Sequence, residues 1–400
     1  MLRSALAKPS DQMMTRISKP WSGLHGRVHR KFPVSSAILP TADQELLLHC
    51  ILSEGEAAIE SWIAWRQRIS VFNLDQDCQR LLPLLVDKLR RMGIDHPDLL
   101  KYKSVTRYIW FKNQLLLQVA QQVLLLFAEA GIPAMPLKGI ALTPLYYGDF
   151  GLRPMEDLDI LVPTASAAAA ARLLNGKGWK SVFEAQLQSA GFMRTRNAAS
   201  FLNADGLDID LHWHVSPECC KPNADDVFWC HSQCVTLNGV ETRTLSDTDH
   251  LFHACIHGGA PNDFGAIRWI VDSAQILRSR SIEWERLIAQ GQEFDLVRRL
   301  QRTLGYLHKT FALPIPAPVI EQLMALEPSR TELSDERTRF SRLHPFLKAA
   351  AWRYIHYRRN RTSGERLFDY LQEAYGTHSL AGTILSATRR AAKGILHTGR

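Results

Sequence analysis

Two short runs of the sequence place aspartates at alternate positions. In the first, Asp157 and Asp159 alternate with leucine and isoleucine, and in the second, Asp208 and Asp210 are followed by His212 at the same spacing. Successive side chains of a β-strand point to opposite faces, so each run would gather its acids on one face. Like charges side by side repel each other unless a cation lies between them. Both runs therefore predict strands whose acids bind a divalent cation.

Three carboxylates from two neighbouring strands are the ligands that two-metal phosphoryl transfer needs. One ion activates the attacking oxygen and both flank the phosphorus, with the ions roughly 3.5–4 Å apart. Mg²⁺ prefers hard oxygen ligands and keeps room for water and phosphate. We therefore predict Asp157, Asp159 and a third acid, Asp210 or Asp208, as catalytic ligands of two Mg²⁺ ions. The predicted chemistry is in-line attack on the α-phosphate of a nucleoside triphosphate.

Upstream, the dipeptide Lys138-Gly139 is predicted to end a short strand and to begin a helix. Backbone amides and the helix dipole favour phosphate at such a position, and glycine allows close approach. Lys138 and Arg153 are cations that can bind the β- and γ-phosphates, although surface ion pairs are the alternative for both. His212 is predicted to orient a carboxylate or to contact substrate, with a packed core histidine as the alternative. We thus predict Lys138, Gly139, Arg153 and His212 as nucleotide-binding residues.

The elements that must position these residues follow from two changes in the hydrophobic pattern. Apolar residues recur at helical spacing before residue 131 and again after residue 245, and short extended runs lie between them. This predicts an α+β fold, with a small mixed β-sheet core flanked by helical regions. The predicted divisions are a basic tail at 1–40, an N-terminal helical region at 41–131, the α/β core at 132–245, a C-terminal helical domain at 246–375 and a basic tail at 376–400.

Turn and cap signals refine the predicted core. The predicted strands are 134–137, 158–162, 179–183, 200–203, 207–214, 234–237 and 240–244. Ala204–Asp205–Gly206 and Asn238–Gly239 predict two antiparallel hairpins among them. Helices are predicted at 102–130, 139–147 and 165–174, and Ser246 with Asp249 predicts the N-cap of another.

Composition is typical of a globular chain of two or three domains, at roughly 100–200 residues each. The net charge of +8 favours an anionic partner without choosing among nucleotide, nucleic acid and an anionic membrane surface. The Arg-rich first thirty residues predict a solvated tail, with an organelle-targeting segment as the alternative. No run approaches the ~18 apolar residues of a membrane span, and residues 115–127 predict a buried amphipathic helix instead. The seven cysteines form no regular framework, which favours the cytoplasm.

Three blocks of the sequence together resemble the uncharacterised nucleotidyltransferase family of the DNA polymerase β-like nucleotidyltransferase superfamily. They are Leu137-Lys138-Gly139 followed by Leu145-Tyr146, then Arg153-Pro154-Met155-Glu156-Asp157-Leu158-Asp159-Ile160-Leu161-Val162, and later Ile209-Asp210-Leu211-His212-Trp213. Residues 251–257 and 268–272 are similar to the C-terminal region of that family. The resemblance extends from about residue 110 to about residue 310.

The resemblance implies a nucleotidyltransferase core in which Asp157 and Asp159 are the paired metal ligands and Asp210, rather than Asp208, is the third acid. It implies Mg²⁺-dependent transfer of a nucleoside monophosphate from a triphosphate such as ATP. The acceptor would be a hydroxyl or phosphate of an unidentified small molecule, saccharide or peptide. The chain departs from the superfamily at the helix start, where Lys138-Gly139 replaces the usual Gly-Ser or Gly-Gly pair and the gap to the acids is longer.

That departure leaves an alternative, a catalytically inactive regulator that keeps the fold and binds a nucleotide or a protein. Nucleic acid is a less favoured partner, because only residues 348–361 interleave aromatic and basic side chains, and an amphipathic helix explains them equally well.

Two further clusters are interpreted as structural or substrate-lining rather than metal-binding. His253 and His257 have the i, i+4 spacing of metal ligands but lack the glutamate of a zinc protease motif. A pairing of His257 with Asp272 is a further hypothesis. The cluster Cys219, Cys220, Cys230, His231 and Cys234 matches no regular zinc spacing.

Overall fold

The computed structural model of the chain describes residues 39–386 except 70–73, 185, 261–266, 342, 344, 362 and 380. The basic tail before residue 39, with the hypothesis of organelle targeting, and the tail from residue 387 lie outside the described residues. The architecture is α+β, as predicted, with a four-stranded mixed sheet and a two-stranded sheet among helices.

Between residue 39 and the sheet, the described residues form four helices: α1 Ala42–Leu52, α2 Gly55–Arg68, α3 Gln76–Arg91 and α4 Pro97–Glu129. The side chains of Thr41 and Asp75 cap α1 and α3 by accepting backbone N–H groups of the first turn. Helix α4 begins five residues before the predicted position, because Pro97 is well suited to a first helical residue. Across the described part of the chain, no helix combines the length and the apolar character that crossing a membrane requires.

The four-stranded sheet has the order β1-β2-β4-β3. Its strands are β1 Met135–Pro136, β2 Leu158–Leu161, β3 Ala198–Leu202 and β4 Asp208–His212. Strands β2 and β4 are parallel, and the two outer pairs are antiparallel. The second sheet is the predicted hairpin of β5 Gln233–Leu237 and β6 Val240–Thr244. It is held against β1 by hydroxyls of Thr242 and Thr244, which donate to backbone carbonyls of Ala134 and Pro136.

Short helices connect the strands: α5 Lys138–Leu142, α6 Thr164–Gly176, α7 Ala190–Arg194 and α8 Asp226–Cys230. The predicted helix at 139–147 continues after α5 as a π-helical turn, Thr143–Tyr147, which ends at the left-handed Gly148. Pro144 explains the change, because it has no N–H to donate to the regular α-helical pattern.

The predicted strand at 179–183 was wrong. Only a single bridge forms there, between Lys180 and Leu202 at the edge of β3. The carbonyl of Phe183 accepts the amides of Gln186 and Leu187, so a local turn takes the chain away from the sheet. Pattern alone did not reveal this turn.

The helices after the second sheet include α9 Asp247–Gly258, α10 Arg268–Ser279, α11 Trp284–Glu293, α12 Val297–Phe311, α13 Ala317–Ala325, α14 Arg330–Phe340, α15 Pro345–Asn360 and α16 Leu367–Tyr375. The predicted N-cap of α9 is confirmed, since the Ser246 hydroxyl accepts the amide of Asp249. Helices α9 and α10 pack against each other and, through α5 and the π-helical turn, against the core.

The two faces of the four-stranded sheet differ in character. Leu158, Ile160, Ile209 and Leu211 are fully buried in a cluster shared with α4 and α6. The opposite face carries Asp159, Asp210 and His212 toward the C-terminal helices. Burial of one face therefore fixes which side the acids occupy, because a strand's period is two residues.

Candidate active site

The register of the parallel pair β2 and β4 sets Asp159 directly opposite Asp210. Residues opposite each other in a sheet point to the same face, so the two carboxylates are neighbours. His212 lies two residues along β4 on that face, and Asp157 immediately precedes β2. Asp159 is buried, whereas Asp157 and Asp210 are partly exposed. The tertiary fold thus joins two acidic runs that lie about fifty residues apart.

Asp159 is the most heavily bonded of the acids. Lys138 Nζ lies 2.5 Å from Asp159 Oδ1, and His212 Nε2 lies 3.0 Å from the same oxygen. Burial alone would raise the pKa of Asp159, but Lys138 and His212 outweigh it and hold this pKa well below its usual range. Asp159 is therefore a carboxylate at any physiological pH.

The other two acids experience the opposite effect. Burial and the negative charge of Asp159 raise the pKa of Asp157, and the same two causes raise the pKa of Asp210. Lys138 opposes both shifts only in part. Two acids whose pKa values are raised by a third, permanently charged one indicate a place where additional positive charge would be stabilised.

Asp210 and Asp208 have different surroundings. The Asp208 carboxylate accepts a hydrogen bond from the Ser200 hydroxyl. In the sheet, Asp208 lies opposite Leu202, the last residue of β3. Asp210 instead lies beside Asp159 and lines the cavity described below. The geometry therefore favours Asp210 as the third acid.

Asp159, Asp210 and His212 together fit a divalent cation. Ligand atoms of Asp159, Asp210 and His212 all lie within 4.8 Å of one another, the one such group of three among the described residues. The carboxylate oxygens suit Mg²⁺ or Mn²⁺. His212 already bonds Asp159 through Nε2, which suits an orienting role, and its Nδ1 is buried without a partner in the described structure.

Lys138 and Gly139 form the first turn of α5, next to the acids. Lys138 has φ of 46°, a left-handed conformation that costs energy for a residue other than glycine. A Cβ on Gly139 would lie 2.5 Å from Arg153 Nη1 and 2.6 Å from Met155 Cγ, so only glycine fits without displacement. These two side chains approach Gly139 closely, and the phosphate contact that the sequence predicted there stays a prediction.

Arg153, which the sequence predicted as a phosphate-binding cation, is bonded to a carboxylate within the protein. Its Nε and Nη2 each lie 2.8 Å from an oxygen of Asp272, and both side chains are buried. The Tyr147 hydroxyl also donates to Asp272. Burial would raise the pKa of Asp272, but Arg153 outweighs it and lowers this pKa. The hypothesis that His257 pairs with Asp272 was wrong, because Arg153 and Tyr147 are its partners.

Asn113, a residue that sequence reasoning missed, holds the loop before β2 in place through hydrogen bonds. Asn113, fully buried in α4, donates to the carbonyls of Phe150 and Arg153 and accepts the amide of Met155. An asparagine within an otherwise apolar helical face is the signal that could have identified it, since a buried amide must find partners. Asn113 and Arg153 together hold the approach to Asp157.

A cavity of about 520 Å³ lies between the sheet and the C-terminal helices, and of the three acids Asp210 lines it. Lys138, Asp210 and His212 line one end, and Arg299 of α12 and Arg339 of α14 line the other. Both arginines form ion pairs with Glu218 and with Asp335. The cavity is large enough for a nucleotide-sized ligand, because typical ligand pockets are roughly 300–1,000 Å³.

His253 and His257 of α9 form part of the cavity wall. Within the described residues neither imidazole has a hydrogen-bond partner, although their rings contact each other edge to face. Burial lowers the pKa of His253, whereas the His257 side chain is exposed at the cavity, and the nearby Lys138 lowers the pKa of both. Two neutral imidazoles thus face the cavity, as the substrate-lining interpretation expects.

Other clusters in the described residues show no metal-binding geometry. Cys219 and Cys220 are buried, Cys230 and Cys234 are exposed, and no disulfide joins any cysteine of the chain. The segment 348–361 lies on helix α15, where Ile355, His356 and Tyr357 are buried and Tyr354 is exposed. All but the last residue of this segment is thus helical, and both an amphipathic helix and a nucleic-acid patch stay interpretations of it.

Comparisons with known proteins show the family to which the chain belongs. No curated protein sequence matches the chain. A crystal structure of an antigenic nucleotidyltransferase-like protein from Paracoccidioides brasiliensis is similar at 15% identity and a TM-score of 0.32, covering 55% of this chain and 94% of that one. The family model described as uncharacterised nucleotidyltransferase matches residues 77–312, more than half of the chain and the whole of the acidic site. The chain therefore belongs to the uncharacterised nucleotidyltransferase family, and it is a nucleotidyltransferase.

Proposed function

We propose that the enzyme transfers a nucleoside monophosphate from a triphosphate such as ATP to a hydroxyl or phosphate of a small acceptor, with Mg²⁺. The observation that carries this proposal is the pairing of Asp159 with Asp210 in adjacent parallel strands, beside Lys138 and at one end of a cavity. We further propose the domain divisions at 41–131, 132–245 and 246–375, and the cytoplasm as the compartment, which seven unpaired cysteines favour.

Asp157, Asp159 and Asp210 would hold the metal, and His212 would orient Asp159 through its Nε2 contact. Bound Mg²⁺ would supply Lewis-acid polarisation of the phosphate oxygens. Lys138 is the phosphate-binding cation, since it begins α5 beside the acids and remains partly exposed. Arg153, bonded to Asp272, is a positioning residue that keeps the loop before Asp157 in place.

The acceptor would enter the cavity between the acids and α9. His253 and His257 offer neutral imidazole nitrogens to a hydroxyl there, and Arg299 and Arg339 border the far end. A cavity of this volume suits a small polar acceptor better than a folded polymer. The acceptor's oxygen would attack the α-phosphorus, and the bond to the β-phosphate would break as pyrophosphate leaves.

The experiment is incubation of the purified enzyme with α-labelled triphosphates, Mg²⁺ and a cell extract, followed by separation of labelled products. We expect a nucleotidylated product that requires metal. The double variant Asp157→Asn with Asp159→Asn should abolish it while remaining folded at the assay temperature. Asp205→Asn, in the exposed turn between β3 and β4, is the matched control and should leave product formation unchanged.

Failure of the wild-type enzyme to form product or to bind triphosphate with metal would overturn the proposal. Metal-dependent triphosphate binding without any product would instead favour the inactive regulator. Binding to oligonucleotides that falls steeply with salt and ignores the aspartate substitutions would favour a nucleic-acid partner.

A further inference from the structure

Lys138 lies in an unusual position for a phosphate-binding residue. Its ammonium is directed at the carboxylates, with Nζ 2.5 Å from Asp159 Oδ1, rather than into open solvent. Its backbone is left-handed at φ 46°, a strained conformation that directs the chain into α5 while the side chain reaches β2. Such strain persists only where surrounding contacts impose it, and here the ion pair with Asp159 is the evident contact.

The charges around this ammonium are those that a metal ion would meet. Asp159 is its nearest acid, and Asp157 and Asp210 also stabilise its charged form. Asp159 and Asp210 belong to the group of three side chains whose ligand atoms lie within 4.8 Å of one another. A lysine ammonium and a divalent cation therefore compete for the Asp159 carboxylate, whose Oδ1 already accepts from both Lys138 and His212.

We propose that Lys138 is a built-in counter-ion, which neutralises the carboxylates of the free enzyme and must leave Asp159 before the metal binds there. The inference rests on the proposed function and assigns Lys138 a second role. The triphosphate supplies the alternative anion: the ammonium moves from Asp159 to the phosphates as the metal arrives. Metal binding is thus coupled to nucleotide binding, and the free enzyme holds metal weakly.

The coupling predicts that one substitution raises the affinity of the free protein for metal and lowers its affinity for triphosphate. Lys138→Met removes the competitor, so the free protein should bind Mn²⁺ more tightly than wild type does, by about tenfold or more. The same variant lacks the phosphate contact, so its affinity for a non-hydrolysable triphosphate with Mn²⁺ should fall, also by about tenfold. A lysine with a purely structural role would weaken both affinities or neither.

The experiment titrates Mn²⁺ into the full chain and measures bound ion by electron paramagnetic resonance, with and without the non-hydrolysable triphosphate. Lys138→Gln is a second variant that also removes the charge, and Lys180→Met is the matched control. Lys180 bonds Asn175 at the surface, and its loss should change neither affinity. Melting curves confirm that each variant is folded.

Unchanged or weaker Mn²⁺ binding in folded Lys138→Met and Lys138→Gln would overturn the counter-ion role. This result is separate from the fate of the proposed function, because the Mn²⁺ titration needs no acceptor and no turnover. Absence of product from the wild-type enzyme counts against the proposed function and leaves the titration interpretable.

Discussion

Arg153 and Asp272, 119 positions apart in the sequence, form a buried two-point ion pair between the loop before β2 and helix α10. This pair joins the α/β core to the C-terminal helical region at the point where the chain approaches Asp157. The acids of the site therefore depend for their placement on a helix that lies far away in the sequence.

Asp272→Asn should destabilise the fold, because it leaves the Arg153 guanidinium buried beside a neutral partner. Removing one member of a buried pair costs about 3–5 kcal/mol. The measurement is the free energy of unfolding in urea. The control is Arg90→Met, which removes the ion pair between the exposed Arg90 and Asp87. It should lower the free energy of unfolding by less than about 1 kcal/mol. Equal small losses from both variants would contradict the interpretation of Arg153 as a positioning residue.

Gly139→Ala should also destabilise the protein, by about 1–3 kcal/mol, as overpacking does in a close-packed site. The new methyl would meet Arg153 Nη1 and Met155 Cγ, and Arg153 cannot easily yield while it bonds Asp272. A methyl group added at Gly176, at the end of α6, would have no atom within 4 Å. Gly176→Ala should therefore be neutral or slightly stabilising. Thermal melting of the two variants compares them directly, and a neutral Gly139→Ala would show that the loop adapts.

Asp210→Asn should lower the rate of product formation by a factor on the order of 10³, because a lost metal ligand removes several kcal/mol of charge stabilisation. Asp208→Asn, two residues away on the same strand, should retain most activity, since Asp208 bonds Ser200 rather than Asp159. The readout is the rate of labelled product over a Mg²⁺ titration. A reversed order of the two variants would assign the third acid to Asp208.

His250 should make stability depend on pH. It is buried beside Tyr146, and burial lowers its pKa to about 4 although Asp247 and Asp272 act in the opposite direction. Between about pH 4 and 6.5 the unfolded chain binds a proton at this position that the folded chain does not, so stability falls as the pH falls through that window. The loss from this residue is on the order of 2–3 kcal/mol.

Urea unfolding at pH 7 and pH 4.5 tests this dependence. His250→Gln should show a smaller loss between the two conditions than wild type, whereas His231→Gln, at an exposed position, should show the wild-type loss. Identical pH dependence of wild type and His250→Gln would mean that other groups, such as His257 and His356, account for the acid sensitivity.

Local sequence was enough to predict most elements and the content of the site. Alternation within residues 157–162 and 207–214 assigned the acids to one face of each strand, and turn residues located both hairpins. The segment 179–183 escaped prediction, because a turn at Phe183 competes with the sheet for backbone hydrogen bonds. The ion pair of Arg153 with Asp272 also escaped prediction, since Asp272 lies on a distant helix.

The sequence by itself determined which side chains share a face, because side-chain direction along a strand follows from a two-residue period. Only the tertiary structure decided that β2 lies beside β4 in the register that opposes Asp159 to Asp210. It also decided that Lys138 reaches Asp159 and that Arg153 turns away to Asp272. Strand neighbours, register and ion-pair partners depend on how distant segments pack to bury their apolar faces, and no local pattern encodes that choice.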